Sequence, residues 1–145
     1  MKLDTRQFGT LEFDASSIIT FPSGLLGFEE LHDFVVLDQP ELAPLQWLQS
    51  VDDPQLAFTI VDPALVFADY QPVLTDDDRV ALELTSEAPI QVRVLVTVPQ
   101  NPVEMTANLL GPLVINSERG KGRQVVLHSS EYPVRQRLLP EAAAV

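Results

Sequence analysis

Ile90-Gln91-Val92-Arg93-Val94-Leu95-Val96-Thr97-Val98 carries Ile or Val at every even position and a polar residue at every odd one except Leu95. Successive side chains of a strand point to opposite faces, so this alternation predicts a half-buried β-strand. Pro99 has no N–H for a ladder and ends it. Weaker alternation at Thr10-Leu11-Glu12-Phe13 and Val80-Ala81-Leu82-Glu83-Leu84 predicts two more strands. The short apolar runs Phe34-Val35-Val36-Leu37, Ala57-Phe58-Thr59-Ile60-Val61, Leu113-Val114-Ile115 and Val125-Val126-Leu127 read as strands covered on both faces. Between them lie Pro, Gly, Asp and Asn, as in turns. Short strands about ten residues apart imply an all-β, mainly antiparallel domain, either a sandwich or a small barrel. Closure into a barrel would also remove exposed strand edges.

Twelve prolines against six glycines interrupt any long helix. Two stretches read as one or two helical turns: residues 25–33, and residues 64–70 with Asp62 as N-cap and Pro63 as the first helical residue. The 145 residues fit one domain, expected over residues 1–139, with a flexible tail at 140–145.

There is no cysteine, so disulfides and thiolate metal sites are excluded. No apolar run reaches the roughly 18–20 residues needed to cross a bilayer. Met1-Lys2-Leu3-Asp4-Thr5 lacks the apolar stretch of a signal peptide, which makes the cytoplasm the expected compartment. Net charge is −12, unevenly spread. Residues 1–90 hold 17 acidic residues against three basic, a balance of −14, while residues 91–145 hold four against six, a balance of +2. Such a field serves solubility, and it also repels phosphate and steers a basic partner inward. Direct binding of nucleic acid or a membrane is not expected.

The residues offer little chemistry. His32 and His128 lack the i+3 or i+4 partners of a helical metal site, apart from Glu131 near His128. Adjacent residues of His128-Ser129-Ser130 would point to opposite faces of a strand, so the string is weak evidence for a catalytic triad. Asp76-Asp77-Asp78 lacks the alternating ligands of a calcium loop and reads as a solvated turn before the strand at Val80, or as an acidic knob facing a basic partner. Gly120-Lys121-Gly122 lacks phosphate-loop spacing and reads as a hairpin loop, made a small basic tip by Arg119 and Arg123. No catalytic residue, cofactor or metal is expected. The rival reading is a small hydrolase or isomerase using a buried carboxylate such as Asp62 or Asp69, which needs a deep pocket.

Ile19-Thr20-Phe21-Pro22-Ser23-Gly24-Leu25-Leu26-Gly27-Phe28-Glu29 is a rigid turn, its proline fixing φ and its glycines permitting shapes other residues resist. It is either a plug for one barrel end or an apolar platform for a partner. This string resembles the FPxGLxGFE signature of the flagellar assembly factor FliW family. The resemblance continues through Pro44-Leu45-Gln46-Trp47-Leu48-Gln49-Ser50, Leu56-Ala57-Phe58, Val61-Asp62-Pro63 and Asp69-Tyr70. It resumes at Thr106-Ala107-Asn108-Leu109, Pro112-Leu113-Val114-Ile115-Asn116 and Gly122-Arg123-Gln124-Val125-Val126-Leu127, then Tyr132. These ordered motifs span residues 8 to 138; Leu26 departs mildly, and nothing matches after Leu139.

The resemblance implies a compact β-barrel-like domain without enzymatic activity. Proteins similar to it bind the carbon storage regulator CsrA, which blocks translation of flagellin mRNA, and also bind flagellin itself. Cytoplasmic flagellin occupies the factor and leaves the regulator active; secretion of flagellin frees the factor to capture the regulator. The candidate contact residues are Phe21, Leu25, Phe28, Trp47 and Tyr70, with Asp76, Asp77 and Asp78 supplying electrostatic steering. Trp47 suits either a core or an interface anchor.

Overall fold

The computed structural model describes residues 2–6, 8–85, 89–128 and 132–138. The alternating stretch forms β7 (Gln91–Thr97), paired antiparallel with β6 (Ala57–Val61) on one side and β9 (Leu113–Asn116) on the other. From β6 the antiparallel ladder runs through β5 (Gln46–Ser50) and β4 (Asp33–Asp38) to β3 (Ile19–Thr20). β10 (Lys121–Gln124) closes the ring, antiparallel to β9 and parallel to β3 at Lys121↔Thr20. These seven strands form a closed, mainly antiparallel barrel. β8 (Thr106–Ala107) and β11 (Gln136–Arg137) extend the sheet from β7 outside the ring, and β1 (Lys2–Thr5) with β2 (Gly9–Glu12) makes a separate hairpin.

Residues paired across a ladder share a face. The register Val36↔Leu48↔Phe58 and Ile60↔Leu95 therefore turns these side chains inward, where they pack with Phe34, Leu113 and Ile115 in one cluster. The opposite face of β6, β7 and β9 presents Val61, Val94 and Val114 to a second core outside the wall, completed by Leu82, Leu109, Leu127 and Tyr132. β7 is thus covered on both faces rather than half-buried. Its regular Val face looks outward onto the second core, and Leu95 fills the barrel.

Three expected elements differ. Val80-Ala81-Leu82-Glu83-Leu84 is not a strand: residues Asp76–Ala81 form helix α1. Its start is fixed by a reciprocal capping box, in which Thr75 Oγ1 accepts from Asp78 N at 3.2 Å and Asp78 Oδ2 accepts from Thr75 N at 2.9 Å. Val125-Val126-Leu127 continues β10 only in part. Val125 N and Leu127 N donate to Pro112 O and Leu110 O, but Pro112 has no N–H to return a bond. Residues 25–30 form turns, because Gly24 and Gly27 take φ of 67° and 85°, outside any helix, and Leu25 bridges Phe28; Asp33 already belongs to β4. The Asp62-Pro63 start is as expected: a one-turn 3₁₀ helix, Pro63–Leu65, whose N-cap Asp62 Oδ1 accepts from Ala64 N at 3.0 Å. Residues 140–145, expected as a tail, lie outside the described residues, as do Ser129, Ser130 and Glu131. No described helix is long and apolar enough to cross a membrane.

Candidate partner-binding surface

The FPxGLxGFE segment folds as a plug. Phe21 N donates to His32 O at 2.7 Å and Gly24 N to Phe21 O at 2.8 Å, curling the chain over the end of the barrel where β4 and β6 begin. Gly24 is required there twice over, by its φ of 67° and because a Cβ would stand 2.6 Å from Glu29 Cα. An aromatic ladder fills the barrel from this end: Phe21 meets Phe34 at 5.5 Å, Phe34 meets Phe58 at 6.2 Å, and Phe58 meets Phe28 at 5.0 Å between ring centroids. Phe21 and Leu25 are 0% and 1% exposed. They are core residues and present no surface to a partner, which corrects the expectation for both. Phe28, 38% exposed at the rim, and Leu26, 60% exposed at the tip of the turn, do reach solvent.

The other candidates lie apart. Trp47 pairs with Thr59 on the outer wall, half-buried, its edge against Phe8 at 5.6 Å and its Nε1 donating to Gln39 Oε1 at 2.8 Å. Tyr70 belongs to the second core. Its hydroxyl donates to Leu109 O, and its ring meets Tyr132 at 4.6 Å. Burial, with Tyr132 adding to it, pushes the Tyr70 phenol well above its ordinary value of 10.0. The fold favours the neutral phenol, so Tyr70 contributes stability that is complete below about pH 10 and is lost as pH rises through the higher folded value. Tyr70→Phe is expected to cost about 1 kcal/mol at neutral pH through the lost hydrogen bond. Denaturant titrations should show its stability falling less steeply than wild type above about pH 10.

Asp76 and Asp77 are exposed on α1, but Asp78 is not part of a solvated run. At 5% exposure its Oδ1 sits 3.0 Å from Arg123 Nε. The helix lies on the outer face of β9 and β10, its C-terminal end held where Asn116 Nδ2 donates to Leu82 O at 2.8 Å. This also corrects the basic tip: Lys121 and Arg123 are β10 residues rather than loop, and Lys121 Nζ faces Glu83 at 4.0 Å.

The folding of the charges is what the sequence could not reveal. Arg93 donates to Gln46 Oε1 and Val92 O, Arg137 to Val103 O, and Arg123 and Lys121 face carboxylates; all four are half-buried. Asp4, Glu12, Asp14, Glu29, Glu30, Asp38, Glu41, Asp52, Asp69, Asp76 and Asp77 stand exposed. With Glu83, Glu104 and Glu118, 14 described carboxylates are exposed against the five exposed bases Lys2, Arg6, Arg79, Arg119 and Arg135, so the surface keeps the acidic excess of the chain.

The barrel end opposite the plug is open. There the inward-facing Asp38, Gln46 and Arg93 meet Asp62 in a cleft of about 380 Å³. Beyond the cis peptide Ala43-Pro44 lies an apolar groove of about 270 Å³, lined by Leu42, Leu45, Leu65, Val66, Met105 and Leu138. These residues come from four separate segments, and no periodicity joins them. Asp62, named in the rival enzymatic reading, holds the 3₁₀ turn, and Asp69 is exposed.

Comparison with known proteins agrees with this architecture. The family model described as FliW protein matches residues 2–138. A flagellar assembly factor FliW of Desulfitobacterium hafniense (strain DSM 10664 / DCB-2) is 42% identical over 144 residues, covering 99% of this chain and 95% of that protein. One from Syntrophus aciditrophicus (strain SB) is 42% identical, covering 96% of this chain and 88% of its own length. A crystal structure of the flagellar assembly factor FliW superposes with a TM-score of 0.90 at 35% identity, covering 97% of this chain and 99% of that one. With its closed seven-strand barrel and a plug built from the FPxGLxGFE signature, matched over nearly its whole length by family model, sequence and structure, this chain belongs to the FliW family of flagellar assembly factors.

Proposed function

We propose that this protein works in the cytoplasm as a non-enzymatic partner switch, binding a CsrA-type translational regulator and flagellin in turn. The observation that carries the reading is the acidic excess of its surface: among the described residues 14 carboxylates stand exposed against five bases, while Arg93, Lys121, Arg123 and Arg137 are half-buried against protein groups. Such a surface attracts a basic RNA-binding protein and, once docked, repels the phosphates of its message. The repulsion reaches about 8 Å at physiological salt, so the acidic face must lie beside the RNA path. Inhibition from a more distant surface would require the regulator's two states to differ in affinity for this protein.

Calorimetry with the purified regulator tests this. A stable complex is expected, weakened about tenfold or more between roughly 0.05 M and 0.5 M salt. Flagellin is expected to displace the regulator. Failure to bind either protein, together with turnover of a small molecule, would overturn the reading.

A further inference from the structure

We infer that the open barrel end is a docking site for a short protein segment that presents aliphatic side chains beside a Lys or Arg; this rests on the binding reading above and locates it. The apolar groove and the polar cleft share Ala43, Pro44 and Leu45, so one ligand can span both. Leu65 is 64% exposed and Leu42 38% exposed, both on one-turn helices that hold them toward solvent. Exposed aliphatic side chains beside a concave apolar surface gain free energy when covered.

Charge chooses the occupant. The cleft carries the carboxylates of Asp38 and Asp62 against the single guanidinium of Arg93, whose Nε and Nη1 already donate to Gln46 Oε1 and Val92 O. Glu41 beside Leu42 and Glu104 beside Met105 are exposed and add to the negative rim. Two copies docked through this end would bring acidic rim against acidic rim. Residues 139–145 carry Glu141 and no base, so that segment too is a poor match. A segment with a Lys or Arg flanking its aliphatic residues places the base at Asp38 and Asp62 while its apolar side chains enter the groove.

The test uses the full chain with intact regulator and intact flagellin. Leu65→Glu changes an exposed residue, and Leu26→Glu, at the plugged end, is the control. Asp38→Asn with Asp62→Asn removes charge while leaving acceptors for Gln46 Nε2 and Ala64 N, which these side chains now bind at 2.7 Å and 3.0 Å. Leu65→Glu is expected to weaken one partner about thirtyfold. The asparagine pair should weaken the same partner several-fold at low salt and little at high salt, and Leu26→Glu should leave it unchanged. On arrays of overlapping peptides from both partners, the peptides lost with Leu65→Glu should be aliphatic and basic.

If a partner binds both variants as it binds wild type, the groove proposal falls and the partner-switch reading stands. Captured peptides that are acidic or uncharged also overturn it, as does a dimer that Leu65→Glu dissociates or a gain in affinity on removing residues 140–145. If wild type binds neither partner, both readings fall together.

Discussion

Gly122→Ala is expected to destabilise the barrel by about 3 kcal/mol or more, the upper part of the range for overpacking a well-filled core. An added Cβ would stand 2.5 Å from Phe21 Cζ and 2.6 Å from Cε2. A ring that could swing aside would relieve this, but Phe21 is 0% exposed and wedged against Phe34. Its backbone is held as well, with Phe21 N bonded to His32 O. The alternative is for β10 to move, and β10 closes the ring by its pairing with β3 and β9. Thermal melts should show a drop of roughly 6–12 °C for a domain of this size. Adding Phe21→Leu to Gly122→Ala should recover part of the loss even though Phe21→Leu alone destabilises, a non-additivity that identifies the contact. Should Gly122→Ala melt with wild type, the plug does not sit against β10.

The glycine and the phenylalanine illustrate what could be read in advance. Both belong to motifs visible in the chain, and the turn was legible because Pro22, Gly24 and Gly27 restrict or free the backbone locally. Whether the turn displayed Phe21 or buried it was not legible, because that depends on Gly122, 101 positions away. The strand around Val94 was legible because alternation is a local property. Which of its faces lines the barrel was not, since both faces are covered. The alternation Val80-Ala81-Leu82-Glu83-Leu84 predicts a strand where helix α1 stands, although Thr75-Asp76-Asp77-Asp78 carries the competing capping signal. Val80, 77% exposed, and Leu82, 0% exposed, lie on opposite faces, as residues two apart do on a helix and not on a strand. The acidic total was plain from composition, yet the inward folding of Arg93, Arg123 and Arg137 needs tertiary partners. The groove, assembled from four segments, left no local trace.

Arg123→Ala is expected to cost about 3 kcal/mol, because it leaves the Asp78 carboxylate nearly buried with no counter-charge. That figure is the low end for breaking a buried pair, since the Arg123 side chain is 34% exposed and solvent screens part of the interaction. Asp78 also closes the capping box, so its variants separate the two roles. Asp78→Asn keeps an acceptor for Thr75 N and loses the ion pair; Asp78→Ala loses both and should cost about 1 kcal/mol more, the usual worth of a cap. In a double-mutant cycle, Asp78→Asn with Arg123→Ala should cost less than the sum of the singles by about 1–2 kcal/mol. Additive losses would mean that the two side chains do not interact and that α1 is held by Leu82 and Asn116 alone. A real coupling has a consequence for the acidic surface. Pairing Asp78 with Arg123 fixes the helix that carries Asp76 and Asp77, so those carboxylates are held in a rigid position instead of on a fraying turn. Arg123→Ala should therefore weaken binding of the regulator at low salt more than the unchanged exposed charges would suggest, and regulator affinities measured beside the melts decide it.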